Sequence, residues 1–328
     1  MPAGRGFQRQ SIVEKPDLSV IIVNWNAKEL LADCLKSLFA DGEGVTMELF
    51  VVDNASSDGS VEMVQRRFPE AIIIANGENL GFARAANQAI GQSRGRFILL
   101  LNPDTLVMKQ SLPKMVGFLH HQPLVGALGP KILTAKGSID LRGGRCFPTP
   151  LTELFDQARI SQVFPRSRLF GRYLMGYWDH NDSREVDLLS GACLMVRRET
   201  IEEVGPLDED FFLYGEDVEW CYRIKRAGWK IFYYAEAEII HLGGGSTKGS
   251  PEGLGVEALR SMNLFFRKGY GVLHSWLHRW LILLITLAKE AFFLTRFLFA
   301  RGERERKRAR EKIGLHYQVL RWSIGITK

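Results

Sequence analysis

The chain has 328 residues, of which 46% are hydrophobic and 24% are charged, and its formal net charge is +6. This length allows one large α/β domain with an appendage, or two modest domains, and the composition excludes a disordered chain. The four cysteines are far apart and form no CxxC pair, which argues against a zinc knuckle or a disulfide framework. We expect them to be small buried hydrophobic side chains.

The two ends of the chain differ in character. Residues 1–17 form a polar arm without an apolar core, so we expect no secretory signal there and a folded body that stays in the cytoplasm. Residues 301–312 contain seven basic and three acidic side chains, a net of +4. Such a run binds phosphate groups of nucleic acid or anionic lipid, or it is simply a solvated helix face.

From residue 18 onward, apolar runs alternate with segments of helical spacing. The pattern predicts, in order, a strand at 18–24, a helix at 27–39, a strand at 47–53, a helix at 58–68, a strand at 71–76, a helix at 81–93, a strand at 96–102, a helix at 111–121 and a strand at 124–133. Short βα connections of this kind predict an α/β fold, with a mostly parallel sheet flanked by helices.

The second half of this body is less regular. Residues 135–185 lack clean periodicity, and we expect an irregular region there that contains specificity loops. Order returns at 186–199, followed by a predicted helix at 216–227 and a strand at 229–235.

Polar residues follow several of the predicted strands. They are Asn24, Asn26, Asp53, Asn76, Asn79, Asn102 and Asp104. Each one alone is typical of a turn. Ligands bind at the carboxyl ends of parallel strands, however, so the whole series predicts one shared polar crevice.

Seven stretches of the chain, in this order, resemble family 2 glycosyltransferases of the GT-A fold. They are VIIVNWN, VVDNASSDGS, NLGFARAAN, LLLNPDT, SGACLMVRRE, FFLYGEDVEWCYRIKRAGWKI and IIHLGGGS. The resemblance covers residues 18–246 and extends in particular to the rhamnosyltransferase-like branch that builds bacterial surface polysaccharides. It implies an inverting enzyme of cell-envelope glycan synthesis that moves a sugar from a nucleotide-diphosphate donor to a lipid-linked or polysaccharide acceptor.

The first half of the body carries the candidate residues for the donor nucleotide. Asp53 ends the second strand, and the family places this aspartate against the nucleobase; Asn24 ends the neighbouring strand. Asn79 and Gly81 open a helix, and Asn87 lies two turns inside it. A glycine permits close approach of the backbone, and a helix N-terminus favours phosphate or sugar oxygens. By resemblance, this segment also contacts the nucleotide.

The stretch LNPDT occupies the place of the DxD motif of the family. Asp104 is its second carboxylate, whereas Asn102 replaces the first, and we expect Asn102 to face the ribose or to act through water. By resemblance, His241 at a strand end completes the metal site. One carboxylate, one imidazole and phosphate oxygens suit Mg²⁺ or Mn²⁺. Such a cation stabilises the diphosphate as it leaves.

Two adjacent acids, Glu216 and Asp217, begin the helix of the GEDVEW stretch. Neighbouring carboxylates raise at least one proton affinity, which suits a general base, and the base of the family matches Asp217. Acids here also complement the helix dipole without any catalytic role. By resemblance, Gly191 and Ala192 leave room near the donor sugar or acceptor.

We predict a helical appendage at 247–328, with an amphipathic helix at 272–300 ahead of the basic segment. Its longest uncharged stretch has nine residues, too short to cross a bilayer. The polar residues near one helical face are His274, His278, Lys289 and Arg296. This pattern favours a helix at the inner face of the cell membrane, bound through its apolar face and the basic segment. The alternatives are an interface between copies of the chain, giving a homo-oligomer, and a hairpin that dips into lipid.

Three other functions are weighed. Asn102 in place of an aspartate is compatible with a catalytically inactive scaffold that binds sugar nucleotides. Nucleic-acid binding is disfavoured because the basic segment contains glutamates and lacks interleaved aromatic residues. A nucleotidyltransferase is disfavoured because no glycine-rich loop follows the first strand.

Overall fold

The computed structural model describes residues 15–243, 251–300 and 302–325. The predicted polar arm and the glycine-rich stretch after His241 therefore lie largely outside the described residues. Bounds of the predicted units, 1–17, 18–246 and 247–328, remain predictions.

The strands are β1 (Leu18–Asn24), β2 (Met47–Asp53), β3 (Ile72–Ala75), β4 (Phe97–Leu101), β5 (Thr105–Met108), β6 (Val125–Thr134), β7 (Gly144–Arg145), β8 (Arg184–Val186), β9 (Leu188–Leu189), β10 (Cys193–Arg197) and β11 (Lys230–His241). The helices are α1 (Lys28–Asp41), α2 (Ser60–Arg67), α3 (Phe82–Gln92), α4 (Ser111–His121), α5 (Pro150–Gln157), α6 (Ile160–Val163), α7 (Arg198–Val204), α8 (Glu216–Arg226), α9 (Pro251–Phe265), α10 (Val272–Phe299) and α11 (Glu303–Ser323). A short 3₁₀ turn spans Leu141–Gly143, and a π-helical turn spans Phe266–Tyr270.

One sheet with the strand order β3-β2-β1-β4-β10-β6-β11-β5 forms the centre of the body, and β8 pairs with β11. Strands β3, β2, β1 and β4 run parallel, as do β6 and β11. Strand β10 lies antiparallel between β4 and β6, and β5 lies antiparallel to β11. The predicted α/β sheet flanked by helices is thus confirmed, with antiparallel strands concentrated in its second half.

Helices cover both faces of the sheet, which explains why β1 reads as a continuous apolar run. Leu18, Val20 and Ile22 pack into one core cluster with α1 and α4, whereas Ile21 packs into the other with α3 and α8. Of the cysteines, Cys34, Cys193 and Cys221 are buried and Cys146 is half-buried, and all are free. Their predicted role as small core side chains is confirmed for the three buried ones.

The region at 135–185 is more ordered than the sequence predicts. It contains α5, α6, the 3₁₀ turn and β7, which pairs with β9 just beyond the region. Helix α5 begins with a capping box in which the Thr149 side chain accepts a hydrogen bond from the Thr152 backbone, and Pro150 occupies the first turn. These elements have two to eight residues, too few for a periodic pattern to reveal.

The C-terminal helices join the body through the end of α9. Phe265 and Phe266 are fully buried in the cluster that also contains α3 and α8. Ser261 donates a hydrogen bond to the Leu213 carbonyl at 2.9 Å, next to the start of α8. A separate small cluster of Val256, Leu259, Ile282, Val319 and Trp322 joins α9, α10 and α11. The appendage therefore packs on the body close to the predicted base.

The start of α3 is fixed by a long-range backbone contact. Gly81 has a φ of 82°, and a Cβ atom there would lie 2.5 Å from the Phe212 carbonyl oxygen. The next backbone amide, that of Phe82, donates to the same oxygen at 2.8 Å. The close approach that glycine permits here is thus made to the loop before α8, and it positions that loop.

We predict that Gly81→Ala lowers the free energy of unfolding by more than about 1 kcal/mol, because alanine is strained at this φ and its Cβ meets the Phe212 carbonyl. Gly91→Ala is the matched control. Gly91 lies in the same helix with open space around it, so alanine there should be neutral or stabilising by up to about 1 kcal/mol. Urea denaturation of both variants measures the difference, and equal stabilities would contradict this account of Gly81.

Candidate active site

The sheet brings Asp104 and His241 into contact. His241 is the last residue of β11 and pairs with Thr105, the first residue of the antiparallel strand β5. The Leu242 backbone amide donates to the Asp104 carbonyl at 2.9 Å. His241 Nε2 lies 3.2 Å from Asp104 Oδ1, and both side chains are largely buried. The predicted carboxylate–imidazole pair therefore exists.

The turn that carries Asp104 is held by its backbone. The Asn102 amide donates to the Ala192 carbonyl at 3.0 Å, while the Asn102 carbonyl accepts from the Thr105 backbone at 3.2 Å and from its hydroxyl at 2.7 Å. The side chain of Asn102 is half-buried. Asn102 and Ala192 thus meet where β4 and β10 pair, directly beside the Asp104–His241 pair.

Asp217 lies in the first turn of α8 and is held from two sides. Its Oδ2 accepts from the Gly191 backbone amide at 3.1 Å and from Arg145 Nη2 at 3.4 Å. A Cβ at Gly191 would lie 3.4 Å from the Asp217 Cβ, so the glycine permits this close packing. The Asp217 side chain is 17% exposed, the same fraction as for His241, so it retains limited contact with solvent.

Arg145 is the main residue that the sequence reasoning missed. It is buried, and its Nη1 donates to the Tyr173 hydroxyl at 2.7 Å. Burial opposes its charge, but the neighbouring Tyr173 and Asp217 outweigh burial and raise the pKa of Arg145. Burial also raises the pKa of Tyr173 to about 12. Asp217 therefore faces a buried guanidinium that stays charged.

A second acid lies close to this arginine. Glu153 of α5 is buried, and burial together with the charge of Asp156 raises its pKa to about 7, against the opposing effect of Arg145. Arg145 and Glu153 both lie in the region that lacks a periodic pattern, and no sequence motif marked either residue as functional. The Arg-Gly-Gly-Arg stretch at 142–145 was the available signal.

Glu216 differs sharply from its neighbour Asp217. It is buried, and its Oε2 finds no hydrogen-bond donor among the described residues. Burial, followed by the charge of Asp217, raises the pKa of Glu216. The two adjacent acids therefore differ in environment. Glu216 is buried, which favours its protonated form, whereas Asp217 is partly exposed and paired with Arg145.

The two halves of the site are joined through residues 190–192. Asp217 binds Gly191, the next residue Ala192 binds Asn102, and Asp104 follows Asn102 by two positions. Burial and the charges of Glu216 and Asp104 raise the pKa of Tyr214, against the opposing charge of Arg142. Asp104, His241 and Asp217 thus border one region at the carboxyl edge of the sheet.

The predicted nucleotide residues Asn24 and Asp53 also meet. Asn24 Nδ2 donates to Asp53 Oδ1 at 2.8 Å, and Asp53 Oδ2 accepts from the Ser56 backbone amide at 2.8 Å. Both side chains are buried. Asn24 Oδ1 is buried without a hydrogen-bond donor among the described residues, so one polar atom remains unsatisfied here.

A network of amides continues from this pair toward α3. Asn54 Nδ2 donates to Asn79 Oδ1 at 3.3 Å and to the Gly81 carbonyl at 3.1 Å, and its Oδ1 accepts from Asn76 at 2.9 Å. Asn79 Oδ1 also accepts from the Gly81 backbone amide at 3.0 Å. The polar residues at successive strand ends do converge, and Asn54, which the prediction omitted, lies at their centre.

Asn87 has a different environment from the one predicted. Its Nδ2 donates to the Leu207 carbonyl at 2.9 Å and to Glu209 at 3.0 Å, and its Oδ1 accepts from the Leu207 amide at 3.1 Å. The side chain therefore holds the loop at 207–209 against α3. Both polar atoms of the Asn87 amide are thus used within the protein, and its contact with the nucleotide stays a prediction. The partner loop lies 120 residues away in sequence, so this contact could not be foreseen.

Comparisons with known proteins agree with this geometry. A sequence profile described as "Glycosyl transferase family 2" matches residues 19–205. The chain is 30% identical over 245 residues to the N-acetylglucosaminyl-diphospho-decaprenol L-rhamnosyltransferase of Mycobacterium tuberculosis, covering 71% of this chain and 78% of that protein. It is also 30% identical over 230 residues to the low-salt glycan biosynthesis hexosyltransferase Agl10 of Haloferax volcanii, covering 69% of this chain and 67% of that protein.

Among solved structures, the chain resembles the mannosyltransferase PcManGT of Pyrobaculum calidifontis in complex with GDP-Man and Mn²⁺. The TM-score is 0.56 at 16% identity, and the match covers 96% of this chain and 89% of that one. This similarity confirms the predicted GT-A fold of the α/β body. The profile and the two relatives establish that the chain is a glycosyltransferase and belongs to glycosyl transferase family 2.

Proposed function

We propose that the chain is an inverting, metal-dependent enzyme of cell-envelope glycan synthesis, which transfers a sugar from a nucleotide-diphosphate donor to a lipid-linked or polysaccharide acceptor. The observation that carries this proposal is the position of Asp217, one hydrogen bond from Gly191, beside the turn that presents Asp104 to His241. The names of the two relatives support a rhamnosyl or other hexosyl donor, and rhamnose is the first sugar to test.

The donor nucleotide is assigned to the edge formed by β1, β2 and α3. Asn24 and Asp53 offer buried polar atoms at the ends of adjacent strands, including the unsatisfied Asn24 Oδ1. Asn79 would contribute its side-chain nitrogen at the start of α3, since its Oδ1 and the Gly81 backbone are already hydrogen-bonded within the protein. We assign Asn102, which precedes Asp104 by two residues, to the ribose.

A divalent cation fits the pair formed by Asp104 and His241. No group of three or more His, Cys, Asp or Glu side chains that could hold a metal occurs among the described residues. The protein would thus supply two ligands, and diphosphate oxygens and water would supply the rest, as is usual for Mg²⁺; the imidazole favours Mn²⁺. When bound, the cation would neutralise charge on the leaving diphosphate.

The acceptor hydroxyl is assigned to the side of Asp217. The partly exposed carboxylate takes the proton as the oxygen attacks, and the guanidinium of Arg145 and the Gly191 amide hold that carboxylate in place. Attack by the acceptor in one displacement inverts the anomeric carbon. Glu216, which is buried with a raised pKa, serves as a protonated neighbour and does not act as the base.

An inactive scaffold that binds sugar nucleotides is the alternative function, and Asn102 in place of a carboxylate is the observation that favours it. The contact of Asp104 with His241 and the partly exposed, paired Asp217 argue for a working enzyme. A lipid-linked acceptor would bring the enzyme to the inner face of the cell membrane as a peripheral cytoplasmic protein. We assign it no role in nucleic-acid binding.

We predict that Asp217→Asn lowers the transfer rate by about 10²–10⁴-fold, because the amide cannot accept the proton. Glu216→Gln is the matched control. Glutamine resembles the protonated acid, so the fall in transfer rate should be at least about tenfold smaller than that of Asp217→Asn. The assay measures release of nucleoside diphosphate from a panel of sugar nucleotides with Mn²⁺ or Mg²⁺ and an acceptor. Nucleotide affinity should be unchanged in both variants.

Full activity of Asp217→Asn would remove the assigned base. Absence of transfer from the wild-type chain with every donor, despite tight nucleotide binding, would favour the scaffold instead.

We predict that His241→Ala raises the Mn²⁺ concentration needed for half-maximal transfer by about 10- to 100-fold, since one of the two protein ligands is lost. His121→Ala is the control, because His121 lies exposed at the end of α4 and its ring, among the described residues, bonds the Gly117 carbonyl of its own helix. A metal titration of His241→Ala that overlays the wild-type curve would reject the ligand role.

A further inference from the structure

Helix α10 has its polar and apolar faces reversed relative to a helix on the surface of a water-soluble protein. Its buried residues are Ser275, His278, Ile282 and Thr286, of which three are polar. In a soluble helix the apolar face turns inward and the polar face outward. The face that α10 turns toward the protein is therefore the wrong one for a helix surrounded by water.

Several of the inward polar groups nonetheless find partners in the other C-terminal helices, whereas His278 Nε2 is buried without a hydrogen-bond partner among the described residues. Asn263 of α9 donates to the Ser275 carbonyl at 2.8 Å, accepts from the Ser275 hydroxyl at 3.1 Å, and lies 3.2 Å from His278 Nδ1. Arg279 donates to the Trp322 carbonyl of α11 at 2.6 Å. These hydrogen bonds fix the rotation of α10 about its own axis, so the orientation of its faces is well defined.

The outward face of α10 is a continuous apolar stripe. Its side chains are between 44% and 78% exposed: Leu273, Trp276, Leu277, Trp280, Leu284, Leu287, Leu294 and Leu298. Their spacing keeps them on one side of the helix over about 38 Å at 1.5 Å per residue. An apolar surface of this length left open to water marks a contact with another apolar phase or partner.

Basic charge lies on the helix that packs along α10. This helix, α11, begins with the segment that carries a net charge of +4. Arg306 and Arg310, one helical turn apart in that segment, are both exposed. Cationic side chains and an apolar stripe on adjoining helices match the phosphates and acyl chains of an anionic membrane.

We propose that the exposed stripe of α10, defined by the eight residues above, lies in the plane of an anionic lipid membrane, with Trp276 and Trp280 at the acyl boundary and Arg306 and Arg310 at the phosphates. No helix among the described residues is long and apolar enough to cross a bilayer, so the contact is in-plane. A second copy of this chain, with its net charge of +6, offers the stripe an apolar surface but offers the arginines no anionic one.

The membrane contact has a direct bearing on the acceptor, and to that extent it rests on the proposed function. Helix α10 packs against α5. Helix α5 carries the buried Glu153, which lies beside Arg145, and Arg145 contacts Asp217. The membrane-bound helix is therefore connected to the proposed base through α5, Glu153 and Arg145, and we assign the lipid-linked acceptor to this side of the site.

The test uses the full chain and vesicles of phosphatidylcholine with or without phosphatidylglycerol. Leu277→Ser/Leu284→Ser should weaken binding to the anionic vesicles by at least about tenfold, because two side chains leave the acyl boundary. The control Ile72→Ser/Leu124→Ser removes two exposed apolar side chains from the body and should bind as the wild type does. Arg306→Glu/Arg310→Glu should lose about tenfold on anionic vesicles and nothing on neutral ones.

Tryptophan fluorescence tests the depth. Lipids brominated on the acyl chain should quench the wild-type protein, and Trp276→Phe/Trp280→Phe should stay bound but lose that quenching. Equal vesicle binding by the stripe and control variants would overturn the proposal. So would a dimer, seen in lipid-free sedimentation, that Leu277→Ser/Leu284→Ser dissociates, because the stripe would then be an interface between copies.

Vesicle binding is measured without sugar nucleotide, which separates the two proposals. Binding that persists in a chain with no transferase activity leaves the membrane inference standing and removes the proposed function. Absence of vesicle binding together with normal transfer to a water-soluble acceptor would remove the membrane inference and leave the proposed function standing.

Discussion

The site depends on the insertion of β10, antiparallel, between β4 and β6. This pairing places residues 191 and 192 opposite the end of β4, where the Ala192 carbonyl holds the Asn102 amide and the Gly191 amide holds Asp217. The antiparallel pairing of β5 with β11 then sets Asp104 against His241. These two antiparallel pairings thus bring Asp104 close to Asp217 and His241, both of which lie more than 100 residues away in the chain.

Burial and neighbouring charges give the two adjacent acids of this site, Glu216 and Asp217, different properties. Asp217 has a buried arginine and a backbone amide as partners, so its carboxylate is held in one orientation. Glu216, one residue away, has neither partner and is buried, which favours its protonated form. A helix start with two acids can therefore supply both the proposed base and a neutral neighbour, and the difference between the two acids arises from their environment and not from the residue type.

The sequence predicted the first half of the sheet well, because β1 and β2 are apolar on both faces and end in polar residues, so their bounds agree with the prediction. It also predicted the meeting of Asp104 and His241, through the resemblance. It could not predict Arg145, which lies in a two-residue strand, nor the partners of Asn87 and Gly81, which come from loops more than 100 residues away. Periodicity reports burial within one element and carries no information on such distant contacts.

The reversed faces of α10 likewise could not be predicted without knowing its neighbours. Of the predicted polar face, His278 is fully buried and Lys289 half-buried, while His274 and Arg296 are exposed.

The most direct measurement of the central claim is a crystal structure with a nucleoside diphosphate and Mn²⁺, in which the anomalous signal locates the cation. The account predicts a single strong peak about 2.0–2.3 Å from a carboxylate oxygen of Asp104 and from a ring nitrogen of His241. The diphosphate should bind this cation and extend toward Asn24 and Asp53. The Asp217 carboxylate should face the β-phosphate from the side that is open to the acceptor. A peak bound to other residues, or a diphosphate that lies away from Asp217, would contradict it.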